Sequence, residues 1–465
     1  MKQGSLRPNK TLLLVLALSG CAGYRAEPLA TQAHLASSVA ALDRTVPTAN
    51  TAEPAVILPA TQALSVDQIG LLAILNDPDL AAEFGQIEQA RAALLTTSTL
   101  PNPQLGLGFL ALLGGPGSTP AYAVSLSQDI TSLITYRPRV AAARAQIGSV
   151  NAQLLWQEWQ VAQQASLLAV GIYGFDQEIT VRTQELSVLT GELGQVRQAA
   201  AAGNLDLTDE APLRAAAASA ESALATARLT RLQAWQSLDA LLGLQPSVRF
   251  DILPPEVAAP PADLASLMAS LPERRPDLLA LRLGYAAADD QVRAAILTQF
   301  PALSLGPAYG KDTSDVSSFG PQMTIALPVF DRNQGGIAGA QATREVLHAQ
   351  YQAELDATAG TVQALGTNIA TLEDDLSRAR FAAADAQRAL DEANRAYAQN
   401  SLDQRALADY QTAALERDLD VINFQAQLNT DKLALGIELG LGLPQTRIAP
   451  QPNADPAATH KVSHT

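Results

Sequence analysis

The 465-residue chain holds a single cysteine, Cys21, so no intrachain disulfide can brace its fold. Histidine is nearly as scarce. His34 and His348 stand alone, and His460 and His464 share an i,i+4 spacing on a Pro-containing tail that does not suit a helix. There is no G-x-S-x-G, no H-E-x-x-H and no phosphate loop. Neither an enzyme nor a cofactor or metal site is expected from such material. Positive charge is short as well: 31 Lys and Arg stand against 46 Asp and Glu, a net charge of −15. That balance argues against nucleic acid, and against an anionic membrane face, as partner. Long hydrophobic runs are absent after Cys21, where no apolar stretch approaches the ~20 residues of a membrane-spanning helix. If the protein spans a bilayer, it must do so with strands.

What is present is aliphatic. Hydrophobic residues make up 48% and aromatics only 5%. A chain rich in Ala, Leu and Gln suits long helices in close mutual contact, and the length allows two or three domains. The N-terminus carries Lys2, Arg7 and Lys10, then the short apolar run Thr11 to Leu18, then Leu18-Ser19-Gly20-Cys21. This order resembles the lipobox of bacterial lipoproteins. It implies that residues 1–20 are a signal peptide and that Cys21 carries a diacylglycerol. Ala22, rather than an Asp, follows the cysteine, which implies the outer membrane.

The body of the chain is used twice. Asp77-Pro78-Asp79-Leu80 returns as Arg275-Pro276-Asp277-Leu278, and Leu100-Pro101 as Phe300-Pro301. Gly203-Asn204-Leu205-Asp206 returns as Asn400-Ser401-Leu402-Asp403, and Gly243-Leu244 as Gly442-Leu443. The landmarks keep their order and almost their spacing, so a tandem duplication follows. The expected organisation is a tether over 21–70, a first repeat over 71–244, a Pro-rich connector over 245–270, a second repeat over 271–443 and a disordered tail over 444–465.

Each repeat reads as helix, strand pair, long helix, turn, shorter helix. Asp77 is a good N-cap with Pro78 at the first helical position. Tyr122, Val124 and Leu126 alternate with Ala123, Ser125 and Ser127, and Met323, Ile325 and Leu327 alternate with small or polar residues. The partner runs from Gln104 to Leu112 and from Ala302 to Tyr309 contain glycines and alternate less cleanly. Long helices are predicted over 138–202, opened by Pro138, and over 337–399, neither with an interior proline. At 1.5 Å per residue such helices reach roughly 95 Å, more than a compact domain can hold. Gly203 and Asn400 are placed to end them in the left-handed conformation. Asp206 and Asp403 are placed to cap the returning helices, with Asp209 in a capping-box position. Trp156, Trp159 and Trp235 are read as packing between rods. Four strands cannot close a transmembrane barrel, which needs at least eight, so partner chains are required.

With these features the chain resembles the TolC family of outer-membrane efflux ducts. The motifs that carry the likeness are the duplication, Leu100-Pro101-Asn102-Pro103, Arg275-Pro276-Asp277-Leu278, Leu327-Pro328-Val329-Phe330-Asp331 and the two Gly/Asn-x-Leu-Asp tips. The resemblance implies a mainly α fold with a small β part. Tandem long helical hairpins would form a periplasmic α-barrel, and four strands per chain would contribute to a trimeric transmembrane β-barrel. It implies a homotrimer that docks a periplasmic adaptor and an inner-membrane pump and passes substrate outward. It places the periplasmic entrance at the tips, at Asp206, Asp209, Asp403, Arg405 and Asp409. Asp409 matches one of the two acidic positions that narrow the entrance in many members, whereas Ala406 departs from the other. At i,i+4, Arg405 could pair with Asp409. Arg137-Pro138-Arg139 leans toward the heavy-metal-efflux subgroup. Two alternatives stand beside this reading: a periplasmic adaptor lipoprotein, which would carry one long hairpin rather than two, and a coiled-coil lipoprotein, which leaves the strands unexplained. The sequence does not name the cargo.

Overall fold

The computed structural model describes residues 26–46, 56–59, 63–203, 207–261 and 263–442, without the side chains of Val56 and of 207–209. The expected signal peptide over 1–20, Cys21, Asp206 and the tail over 444–465 lie outside the described residues. The chain divides into a short unit, Met1–Leu35, and a large one, Ala36–Thr465. In the first, residues 26–35 form neither helix nor strand. Everything below concerns the second.

The segment before the first repeat is more ordered than its composition suggests. Strands β1 (Thr45–Val46) and β2 (Val56–Ile57) pair antiparallel, and β3 (Ala63–Leu64) pairs in parallel with β6 (Asp251–Ile252) of the Pro-rich connector. Helix α1 (Val66–Asn76) lies across the expected end of the tether at residue 70. It starts in a capping box: the Ser65 hydroxyl accepts the Gln68 N–H at 3.3 Å, and the Gln68 side chain accepts the Ser65 N–H at 3.0 Å. Asp77 then ends α1 and opens α2 (Pro78–Ser98), its carboxylate accepting the N–H groups of Asp79 and Leu80.

After α2 come β4 (Gln104–Leu110) and β5 (Ala121–Asp129), the long helix α3 (Thr131–Ala201) and the returning helix α4 (Leu207–Leu242). Two short helices, α5 (Leu264–Ala269) and α6 (Leu271–Arg274), follow β6 in the connector. The second repeat runs α7 (Pro276–Leu297), β7 (Ala302–Lys311), β8 (Ser317–Ala326), α8 (Gln334–Ala398) and α9 (Gln404–Glu438). The order of elements in each repeat is the predicted one.

The start of α3 corrects the prediction. The helix begins at Thr131 rather than Pro138, because the Asp129 carboxylate accepts the N–H groups of Thr131 at 2.8 Å and Ser132 at 3.4 Å. Pro138 therefore lies inside it, where its missing N–H deprives the Ile134 carbonyl of the usual i+4 donor. With 71 residues α3 is about 105 Å long, and α8, with 65, about 98 Å. Pro212 lies inside α4 in the same way.

Backbone geometry also adjusts the register of the duplication. Gly243 and Gly440 both take φ of +64°, and the next N–H in each case, Leu244 or Leu441, reaches back five residues to a carbonyl at 2.8 Å. This is a Schellman end. Gly203 (+75°) and Asn400 (+55°) both end long helices in the left-handed region. Gly243 thus corresponds to Gly440, not Gly442, and both landmarks share an offset of 197. At that offset Ile172 falls on Ile369 and Ala165 on Val362, all four buried.

One apolar core gathers α1, the middle of α3 and the end of α4 around Leu64, Ile69, Leu72, Ile172, Leu238 and Leu242. Its counterpart gathers α6, the start of α7, α8 and α9 around Leu271, Leu278, Ile369, Leu428 and Leu435. Helix α3 packs against α1, α2, α4, α7 and α9, so it ties the repeats together. Arg275, 2% exposed, sits at this junction: it donates to Asp277 at 2.6 Å, Glu354 at 3.1 Å and Glu438 at 2.5 Å. Its guanidinium also lies 4.6 Å from the ring centre of Trp156 on α3.

Candidate functional site: an open sheet and two hairpin tips

The four long strands form one antiparallel sheet in the order β4-β5-β7-β8. Its register decides its chemistry. Leu105, Leu107 and Phe109 stand opposite Leu126, Val124 and Tyr122. Val124 stands opposite Tyr309, and Leu303, Leu305 and Tyr309 opposite Ile325, Met323 and Phe319. Because side chains alternate, these residues share one face. That face is apolar yet solvent-exposed, Phe109 to 72% and Phe319 to 77%.

The opposite face carries Gly106, Gly108, Ala123, Ser125, Ser127, Ser304, Gly306, Ala308, Gly310, Ser318, Gly320, Gln322 and Thr324. The glycines that blur the alternation of β4 and β7 all lie on this small-residue face. Two of them are there for space: a Cβ on Gly306 would fall 1.7 Å from the Leu126 carbonyl oxygen, and one on Gly106 would fall 2.6 Å from the Ser125 hydroxyl. Among the described residues, strands β4 and β8 each leave one edge without a partner. An exposed apolar face with open edges is a liability in water. It is the required surface for a strand slab in hydrocarbon, provided that the edges are closed. Among the described residues no helix is long and apolar enough to cross a membrane.

At the other end of the rods lie the tips. Asp403 caps α9, accepting the Ala406 N–H at 2.8 Å. Arg405 does not turn to Asp409, one turn on. It reaches across to α3, with its Nε 4.0 Å from Glu192 Oε1. Glu192 is 6% exposed, and among the described residues no hydrogen bond reaches that oxygen. Burial, reinforced by the negative charge of Asp409, pushes the Glu192 carboxyl above the usual range, and Arg405 opposes the shift. The buried carboxylate has the greater need of a countercharge, so it draws the guanidinium away from exposed Asp409. Asp409 is left exposed on α9.

The first tip is clamped differently. Glu210, buried, accepts from Arg197 at 2.8 Å and Arg214 at 2.5 Å, and these bonds hold its carboxyl below the usual range. Asp206 and the side chain of Asp209 lie outside the described residues. Glu192 and Glu210, which sequence reasoning passed over, are thus the acidic groups that the structure ties into the tips. Their only sequence signal was a carboxylate with an arginine at helical spacing or near the turn. Among the described residues no cluster of three or more His, Cys, Asp or Glu could hold a metal ion.

Residues 267–440 match the outer membrane efflux protein family. No curated protein matches in sequence. Three of the similar solved structures each match about four-fifths of this chain. VceC, an outer membrane protein of Vibrio cholerae, has 19% identity and a TM-score of 0.64, over 81% of this chain and 96% of its own. The CmeC outer membrane channel of Campylobacter jejuni has 15% identity and a TM-score of 0.67, over 81% and 85%. The MtrE outer membrane channel of Neisseria gonorrhoeae has 17% identity and a TM-score of 0.62, over 82% and 90%. The second repeat of this chain thus matches the outer membrane efflux protein family, and about four-fifths of the chain shares the fold of these outer membrane proteins.

Proposed function

We propose that the protein is the outer-membrane duct of a tripartite efflux system, passing substrate from an inner-membrane pump and a periplasmic adaptor to the exterior. One observation carries this reading: a four-stranded slab, apolar outside and small or polar inside, is joined to two helical hairpins whose longer arms run about 100 Å. An adaptor with a single long hairpin has neither the second hairpin nor the slab. Three copies would supply twelve strands, and β4 of one copy would pair with β8 of the next so that no edge faces lipid. Exposed Leu229 and Leu232 on α4 and Phe381 on α8 offer contacts between neighbouring rods. Cys21 would carry the lipid anchor, and the tips with Asp403, Arg405 and Asp409, backed by Glu192, would ring the periplasmic mouth beside Asp206 and Asp209. A duct of this kind draws its energy from the pump and needs no catalytic group.

The test is direct. Protein extracted in mild detergent is expected to form a three-fold particle more than about 100 Å long that conducts ions in planar bilayers. A stable monomer, or a compact non-conducting particle, contradicts the duct. Mass spectrometry of the mature N-terminus is expected to find acylated Cys21, and an unmodified N-terminus elsewhere would remove the anchor.

A further inference from the structure

The sheet's two ends differ. At one, β4–β5 and β7–β8 turn through short hairpins. At the other, Gln104, Asp129, Ala302 and Ala326 connect the strands to helices and linkers. The apolar face does not stop there. Leu327 and Val329 continue the alternation of β8, 74% and 67% exposed, and Phe330 beside them is 96% exposed. Leu133 and Ile134, in the first turn of α3, are also exposed. Immediately beyond this apolar rim stand Arg137, Arg139 and Arg332, all exposed. The carboxylates in the same turns are engaged with the backbone: Asp129 accepts from Thr131 and Ser132, and Asp331 from Asn333. Among the described residues none of the three arginines makes an ion pair, whereas most other arginines of this acidic chain do.

We propose that this rim docks the anionic headgroups of the periplasmic leaflet, with Leu133, Ile134, Val329 and Phe330 in the acyl boundary and Arg137, on the same side of α3 as Leu133 and Ile134, and Arg332 on the phosphates, while Arg139 points to the opposite side of the helix. The inference rests on the outer-membrane reading above. Three features support it. The rim is continuous with the face assigned to lipid. Arg137 lies three residues past Ile134, about 4.5 Å along the α3 axis, within the roughly 5–7.5 Å of a headgroup layer beside the hydrocarbon core. Pro138 frees the Ile134 carbonyl in this same turn, and a freed carbonyl is tolerable among hydrated headgroups but costly within hydrocarbon. The net charge of −15 speaks against an anionic surface for the molecule as a whole. Charges farther away than the roughly 8 Å screening length at physiological salt count for little, however, and on this side of the rim Arg137 and Arg332 stand against Asp331 alone, since Asp129 follows the small-residue face of β5.

The full-length protein in nanodiscs of phosphatidylcholine with one-third phosphatidylglycerol provides the test, with retained lipid read by native mass spectrometry. Wild type is expected to retain phosphatidylglycerol preferentially, and R137Q/R332Q to lose at least about fivefold of that preference, the effect of one basic headgroup contact. R137K/R332K should keep it, and neither R139Q, on the opposite side of α3, nor R388Q, far from the rim, should alter it. Equal preference in wild type and the double Gln variant overturns the proposal. So does a double Gln variant that leaves lipid retention intact but shifts ion selectivity in neutral bilayers, since the arginines would then line the lumen. Failure of wild type to form a conducting three-fold particle in phosphatidylcholine alone would instead indict the duct reading.

Discussion

The two repeats share a backbone and differ in where they place charge. At offset 197 the long helices α3 and α8 share buried positions at Ala165 and Val362, Ile172 and Ile369, and Val196 and Ala393, yet Glu158 in the first stands where Leu355 packs into the second core. At the elbow that opens each repeat, Asp77 caps α2 through two backbone N–H groups, whereas Arg275 abandons capping and gathers three carboxylates and a tryptophan. At the tips, Glu210 is clamped by Arg197 and Arg214, whereas its counterpart in the second repeat is the buried, uncharged Leu407. Backbone periodicity and turn geometry hold the duplicated scaffold. Single charges, free to diverge around it, make the first hairpin tight at its tip and the second hairpin tight at its root.

That contrast can be broken at its strongest point first. Arg275→Met leaves Asp277, Glu354 and Glu438 without their shared countercharge, and should cost about 3–5 kcal/mol, as the loss of one partner from a buried ionic cluster does. Asp77→Ala, at the equivalent elbow, should cost only about 1 kcal/mol. Denaturant melts of the two variants side by side check the difference. Equal losses would mean that the elbows are equivalent after all.

The Glu158 comparison predicts a pH dependence. Burial raises its carboxyl to about 7, and among the described residues its Oε2 has no hydrogen-bond partner. The folded state thus holds a proton that the unfolded chain releases near the ordinary carboxylate value. The stability tied to that proton is complete below the unfolded value and is lost as pH rises through about 7. Glu158→Gln should therefore match wild type near pH 4, and exceed it by up to about 3 kcal/mol above pH 8. A gain that is the same at both pH values would show that the carboxyl is ordinarily ionised.

At the tips the effects on stability are smaller and the functional ones larger. Asp403→Ala removes a cap and should cost about 1 kcal/mol without changing ion selectivity. Asp409→Asn should change stability by no more than about 0.5 kcal/mol, as exposed substitutions do, but lower cation preference in planar bilayers, because a ring of such carboxylates in a narrow mouth focuses the field. If both variants leave selectivity untouched, the tip acids form a solvated helix face and the mouth lies elsewhere.

The parts of the fold that could be read from sequence were those governed by local rules. Asp77-Pro78 announced a helix start, Gly203 and Asn400 announced left-handed ends, and the alternation around Val124 and Ile325 announced strands with one apolar face. Helix α1 was hidden because its capping box, Ser65 and Gln68, stands only twelve residues before the more conspicuous Asp77-Pro78. The true start of α3 was hidden because Pro138 mimics a first-turn proline, while the deciding contact is the Asp129 carboxylate nine residues earlier. The tip chemistry was the least legible. Arg405 has an acidic neighbour on its own helix, but the partner it takes, Glu192, is 213 positions away and becomes competitive only once folding buries it.

The central claim is that the slab closes with copies of itself, and disulfide trapping tests it most directly. Gly108 on β4 and Gly320 on β8 both lie on the small-residue face of edge strands, with room for a larger side chain. Within one chain these strands are separated by two others, roughly 14 Å at standard strand spacing, about twice the reach of a disulfide. Cys21 is the chain's only cysteine, so introduced thiols can be followed cleanly. With Gly108→Cys held fixed and Ser318, Gly320 and Gln322 changed to Cys in turn, at least one pair should oxidise to covalent trimers that run as a discrete band under non-reducing denaturation. Monomers at every pairing, from a preparation whose thiols react freely with a maleimide, would contradict the closed barrel.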